Sequence, residues 1–145
     1  MGEAHVAGGK SAVKPNAGMI KAQGIDHVSL SVADLDQGIK FYTELFGLKL
    51  LRKFGDPRQA YLACGRNLLG LVEVKDYPGL LNISKSRAHI SFFLSKSEFQ
   101  RAVTLLKESD VRVIYGPERS RDGKRMILLD PDENKIELTS PRTKM

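Results

Sequence analysis

The chain has 145 residues, of which 41% are hydrophobic and 28% charged, with a formal net charge of +6. That is the size of one domain, large enough to bury a core without disulfides, and the composition excludes wholesale disorder and collagen-like repeats. No apolar run approaches the ~18 residues needed to cross a bilayer, and the single cysteine, Cys64, excludes an internal disulfide or a multi-cysteine zinc site.

A reducing, cytoplasmic setting is therefore expected. Part of the basic excess is terminal, at Lys10, Lys14, Lys21, Arg142 and Lys144. With no Trp and no basic run interleaved with aromatics, neither a nucleic acid nor a membrane is expected as partner. Residues 1–22 are rich in Gly, Ala and Lys without periodicity; they read as a flexible tail, with His5 a solvent-exposed bystander. Residues 23–140 read as a single domain.

The pattern becomes definite at residue 25. Residues 25–32 alternate, with His27, Ser29 and Ser31 on one face and Val28, Leu30 and Val32 on the other, as in a half-buried strand. Asp34 then caps a helix whose apolar stripe is Leu35, Ile39, Tyr42 and Phe46, and Gly47 ends it. Strands are predicted at residues 48–54, 59–64 and 67–74, with Asp56-Pro57 and Gly65-Arg66-Asn67 as turns. After Pro78-Gly79 the order restarts. A strand at 87–94 carries His89, Ser91 and Phe93 on one face, and Ser95 and Glu98 have capping-box spacing. Phe99, Ala102, Val103 and Leu106 form the second helical stripe, and strands follow at 111–115, 124–129 and 135–139.

The chain is thus a β-α-β-β-β unit used twice, about residues 25–75 and 87–139. His27 precedes Glu73 by 46 residues and His89 precedes Glu137 by 48. Each Glu stands between apolar neighbours, Val72 and Val74 or Ile136 and Leu138. If those neighbours pack against the helix, each Glu points the other way, with its His. Two imidazoles and two carboxylates around one cavity, with no thiolate, suit one divalent cation with open positions: Zn, Ni, Mn, Co or Fe(II). Two readings of the basic stretch Arg119–Arg125 stay open: a solvated turn, or a cationic lip for a substrate carboxylate or phosphate. Cys64 reads as an apolar filler, since no basic neighbour is placed to activate it.

These residues resemble the vicinal oxygen chelate superfamily, which includes glyoxalase I, extradiol dioxygenases, fosfomycin-resistance enzymes and bleomycin-binding proteins. The resemblance covers about residues 25–140. It rests on Asp26-His27-Val28, Ala33-Asp34-Leu35, the run from Phe41 to Leu48, Ala88-His89-Ile90, and the closing run from Asp130 to Leu138. It implies an α+β fold: tandem β-α-β-β-β modules forming a curved mixed eight-stranded sheet around a metal cavity, with the helices outside. It also implies a homodimer acting on a small molecule. His27, His89 and Glu137 fall on the usual metal ligands, and Glu73 falls where glyoxalase I places a further ligating glutamate that moves a substrate proton.

The run from Phe41 to Arg52 is close to glyoxalase I. A metal-dependent lyase of glyoxalase type is therefore the expected activity, with Glu73 as its base and Ser29, Tyr61, Arg121 and Lys124 as substrate-binding residues. The chain departs from glyoxalase I at Ala88 before the second His and at Glu133-Asn134, where the common turn has Gly. The alternatives are an Fe(II)-dependent extradiol-type dioxygenase, a fosfomycin-resistance-like thiol transferase and a non-catalytic drug-binding protein. Ser29 also matches a small polar active-site residue of the fosfomycin enzymes, and Ala60-Tyr61-Leu62 resembles their third strand. The sequence ends eight residues beyond Glu137, before the Arg-bearing segment those enzymes carry, so phosphonate binding is not expected.

Overall fold

Each half of the chain folds as the alternation requires: β1 (His27–Val32), α1 (Leu35–Phe46), β2 (Lys49–Phe54), β3 (Gln59–Cys64) and β4 (Asn67–Glu73), then β5 (Ile90–Phe93), α2 (Lys96–Lys107), β6 (Val113–Ser120), β7 (Gly123–Leu129) and β8 (Lys135–Pro141). The computed structural model describes residues 19–56, 58–79, 87–120 and 123–141. His5, Arg121, Lys10, Lys14, Arg142, Lys144 and most of the expected tail lie outside the described residues. No described helix is long and apolar enough to cross a membrane.

The strands form two four-stranded mixed sheets, in the orders β1-β4-β3-β2 and β5-β8-β7-β6, rather than one continuous sheet of eight. In each, the first strand runs parallel to the fourth and the remaining pairs are antiparallel. β1 and β5 are therefore free edges of their own sheets.

Local chemistry sets the helix ends. The Asp34 carboxylate accepts from the Gln37 amide at 3.0 Å, and Gly47, at φ 67°, lets its N–H return to the last turn. The Ser95 hydroxyl accepts from the Glu98 amide at 3.1 Å.

Both modules contribute to one apolar core, which includes Leu35, Tyr42, Leu62 and Leu71 from the first and Phe99, Met126, Ile136 and Leu138 from the second. The junction is both apolar and polar. The Phe46 and Phe92 rings lie 4.9 Å apart, and the Tyr42 hydroxyl donates to Asp130 Oδ2 at 2.7 Å. Burial first, and Asp130 beside it, push the Tyr42 phenol far above its usual range, which keeps it a donor. Asn134 donates to the Ser31 carbonyl at 3.0 Å, and the Ala33 amide donates to Asp132 at 2.9 Å. Glu133 adopts φ 67°, which explains why a glycine is common at that turn.

β6 is longer than the predicted strand at 111–115. Its register shifts around Tyr115 and Glu118 absorb Gly116 and Pro117, which a straight ladder would reject. β6 is an edge strand, where a missing N–H is tolerated. Arg119 and Lys124 consequently face each other across a paired hairpin rather than sitting in a loop.

Candidate metal centre

β5 and β8 place Ser91 directly opposite Glu137. Ile136 and Leu138, 0% and 1% exposed, pack into the core, so strand alternation turns Glu137 to the other face. There its Oε1 accepts from Ser91 Oγ at 3.1 Å. Its Oε2 has only longer neighbours, Arg125 at 3.5 Å and His89 Nε2 at 3.9 Å. A carboxylate oxygen so thinly partnered, in a residue only 9% exposed, has lone pairs to spare for a cation.

His89 Nδ1 lies 2.7 Å from the Arg87 carbonyl. A carbonyl only accepts, so the proton belongs on Nδ1 and the Nε2 lone pair is left free toward Glu137. His27 is prepared the same way: Nδ1 donates to the Asp26 carboxylate at 2.7 Å. A metal-binding histidine needs such a second contact to fix its tautomer and ring. Donor bonds to zinc-like ions run about 2.0–2.2 Å, so two ligands of one ion lie within about 4.2 Å, and the 3.9 Å between His89 and Glu137 fits that span.

His27 belongs to the other sheet. Its ring meets Tyr61 edge-on at 5.2 Å. Ser29 is its neighbour on the same strand face, opposite Gly70 across the ladder. A side chain at Gly70 would collide with Ser29 Oγ and press the Tyr61 ring at 3.3 Å, so the glycine is what lets these two groups lie together. His27 and His89 both line a cleft of about 610 Å³ between the edges of the two sheets. Even so, among the described residues no three His, Cys, Asp or Glu side chains come together to hold one ion. Cys64 lines the same cleft, and burial pushes its thiol up, away from nucleophilic use.

Two expected site residues are placed elsewhere. Glu73 Oε2 accepts from the Leu35 amide at the start of α1 and from Arg58, each at 2.9 Å. The ladder gives the reason: the position in β4 that matches Glu137 is Gly70, opposite Ser29 as Glu137 is opposite Ser91. Glu73 is three residues further on, and an odd step in a strand reverses the face. It shares a face with the buried Leu69 and Leu71, so it is corrected from metal ligand and base to the carboxylate that closes α1.

Lys124 is likewise corrected. It shares parity with the buried Met126 and Leu128 and lines a cavity beside α2, away from Glu137. The cation on the Glu137 face is its neighbour Arg125, whose guanidinium lies 4.7 Å over the Tyr115 ring. Asp26, Arg87, Ser91 and Arg125 were missed as site residues. Arg125 was legible, since alternation with Met126 and Leu128 puts it opposite the core.

The glyoxalase/bleomycin resistance protein/dioxygenase superfamily model matches residues 24–138. The metallothiol transferase FosB of Staphylococcus epidermidis is 35% identical over 115 residues, covering 79% of this chain and 79% of that protein. The glutathione transferase FosA of Serratia marcescens is 28% identical over 118 residues, 80% of this chain and 79% of that one. Among solved structures, the fosfomycin resistance protein FosX of Listeria monocytogenes, complexed with Mn(II) and 1S,2S-dihydroxypropylphosphonic acid, superposes with a TM-score of 0.70 at 20% identity, over 85% of this chain and 95% of that one. FosB and FosA are named as transferases, which overturns the expected lyase of glyoxalase type; the loss of Glu73 as a base agrees. With the tandem modules, the paired histidines and this match over most of its length, the chain belongs to the glyoxalase/bleomycin resistance protein/dioxygenase superfamily.

Proposed function

We propose that the chain is a metal-dependent thiol transferase acting on a small phosphonate of fosfomycin type. It would work as a homodimer in the reducing cytoplasm, where low-molecular-weight thiols are available. The observation that carries the reading is a set of metal-type donors divided between the two sheets. His89 and Glu137 are 3.9 Å apart on one sheet, and His27 is prepared on the other, with both Nδ1 atoms already occupied.

His27 of one copy would join His89 and Glu137 of a second copy around one divalent ion. The free edges β1 and β5 favour this, because they carry exposed apolar side chains that a second copy would cover. Val28 is 43% exposed and Phe93 73%, and Ile25 just before β1 is 75% exposed. Bound there, the ion supplies Lewis-acid polarisation of a substrate oxygen.

This chain's own residues do the rest. Arg125, fixed over Tyr115, offers a cation beside Glu137 for the anionic phosphonate. Ser29 and Tyr61 add hydroxyls around His27. The incoming thiolate sulfur forms a bond to the substrate carbon as that carbon's bond to oxygen breaks, and the released oxygen takes up a proton. Cys64 stays out of the reaction.

The test is consumption of glutathione with fosfomycin by the purified chain, first treated with chelator and then given Mn, Zn or Ni in turn. Turnover that needs the added metal and vanishes in His89→Ala supports the reading. Equal turnover in chelator, or in His89→Ala, refutes it.

A further inference from the structure

The two modules can be compared position by position. Tyr61 lies opposite Gly70 as Ile127 lies opposite Glu137, so Arg58 corresponds to Lys124 and Glu73 to Ser140. The helix caps Asp34 and Ser95 correspond, and with them Asp36 and Ser97.

In the first module this corner is electrically closed. Glu73 accepts from the Leu35 amide and Arg58, and Asp36 accepts from Lys53 at 2.9 Å and Arg58 at 3.1 Å. Two carboxylates meet two cations at the start of α1.

In the second module both carboxylates are serines, while Lys124 keeps the place of Arg58 and Arg119 stands beside it. Lys124 lies directly between Arg119 on β6 and Ser140 on β8, in one row across the sheet. Like charges facing each other across a ladder are unfavourable unless an anion joins them. Among the described residues neither cation has a carboxylate partner. Ser140 is 4% exposed, and its hydroxyl has no partner among the described residues. Nor does the Lys96 amide, the counterpart of Leu35, find the acceptor that Glu73 provides in α1. Arg119, Lys124, Ser140 and Ser97 instead line a cavity of about 1290 Å³ against the first turn of α2.

We infer that the start of α2 is an oxyanion site, in which a phosphate group from outside takes the place that the Glu73 carboxylate fills in the first module. The helix N-terminus, two cations and the Ser140 hydroxyl, which opens on the cavity from a residue only 4% exposed, all favour a multiply charged acceptor. The site opens on the face of the sheet opposite Glu137, so it is separate from the metal centre. Phe99 lines one side, and the space exceeds that of a bare ion, which admits a phosphorylated small molecule as well as free phosphate.

The experiment is a thermal-shift titration of the full chain with inorganic phosphate, and in parallel with glycerol 3-phosphate, at constant ionic strength against chloride. Wild type is expected to gain on the order of 5 °C at saturation. Ser140→Glu, which supplies the missing carboxylate internally, is expected to melt higher without ligand and to lose the response; Lys124→Gln is expected to lose it too. A larger shift with the ester assigns a phosphorylated metabolite, and equal shifts assign the free ion. No phosphate-specific shift in wild type, or a shift retained in either variant, overturns the inference, and phosphate held at the metal centre would read as retained.

Discussion

Replacing Glu73 separates a carboxylate that closes a helix from one that does chemistry. Leu35 is fully buried, and its amide donates to Glu73 Oε2 at 2.9 Å. In Glu73→Ala that amide is orphaned, which costs about 1–3 kcal/mol. The Arg58 pair adds little, since its side chains are 44% and 22% exposed; such pairs contribute about 0–1 kcal/mol. The expected loss is about 2–3 kcal/mol, or on the order of 10 °C in Tm for a chain of this size. Glu73→Gln keeps an acceptor for the amide and loses only charge, so about 1 kcal/mol is expected. Both variants are to be followed by urea unfolding, metal analysis and thiol transfer. Stability falls while the folded fraction keeps its metal and turnover. A Glu73→Gln protein with unchanged stability but no metal or no turnover would refute the reasoning and restore Glu73 to the reaction.

Three further outcomes follow from the junction between the modules. Tyr42→Phe removes a buried donor from Asp130 and is expected to cost about 1–2 kcal/mol in urea; no change would mean the bond is not formed in solution. Glu133→Gly relieves a left-handed residue at φ 67° and is expected to raise stability by about 0.5–1 kcal/mol, whereas a loss would show that the Arg112 contact at 3.7 Å matters more. Burial first, then Asp130 and Asp34, hold the Asp132 carboxyl above its ordinary range, while the Ala33 amide pulls the other way. A raised carboxyl contributes its stability below the unfolded pKa and loses it as pH rises through the folded one. Asp132→Asn is therefore expected to gain on wild type between pH ~3 and pH ~7, and equal differences at both pH values would contradict this.

The repeat, both helices with their caps, and the strand face of Glu137 were legible because each is a local pattern. Alternation put Glu137 opposite Ile136 and Leu138, and the buried pair confirms that parity. The same argument failed at Glu73, because Val72 and Val74 are not the core pair; Leu69 and Leu71 are. Apolar neighbours alone do not say where a strand ends, and Val74 lies beyond β4, 39% exposed. The ladder that equates Gly70 with Glu137 is a long-range pairing that one sequence does not display. Lys124 was grouped with the basic stretch Arg119–Arg125, although in β7 it has the parity of Met126 and Leu128 and so faces the core side. The expected lyase followed from the Phe41–Arg52 likeness, which lies on α1 and β2, away from the groups that would do the chemistry.

The measurement that bears most directly on the proposal of a metal site shared between two copies is complementation between two variants, His27→Ala and Glu137→Ala. Each alone is expected to lack thiol transfer. After subunit exchange at equal amounts, about half the dimers carry one chain of each kind, and in these one of the two sites has His27 from one copy and His89 with Glu137 from the other. The mixture is expected to regain about one quarter of wild-type turnover with fosfomycin and glutathione, with metal content rising in proportion. A mixture that stays inactive after exchange is shown to be complete would contradict a site shared between two copies.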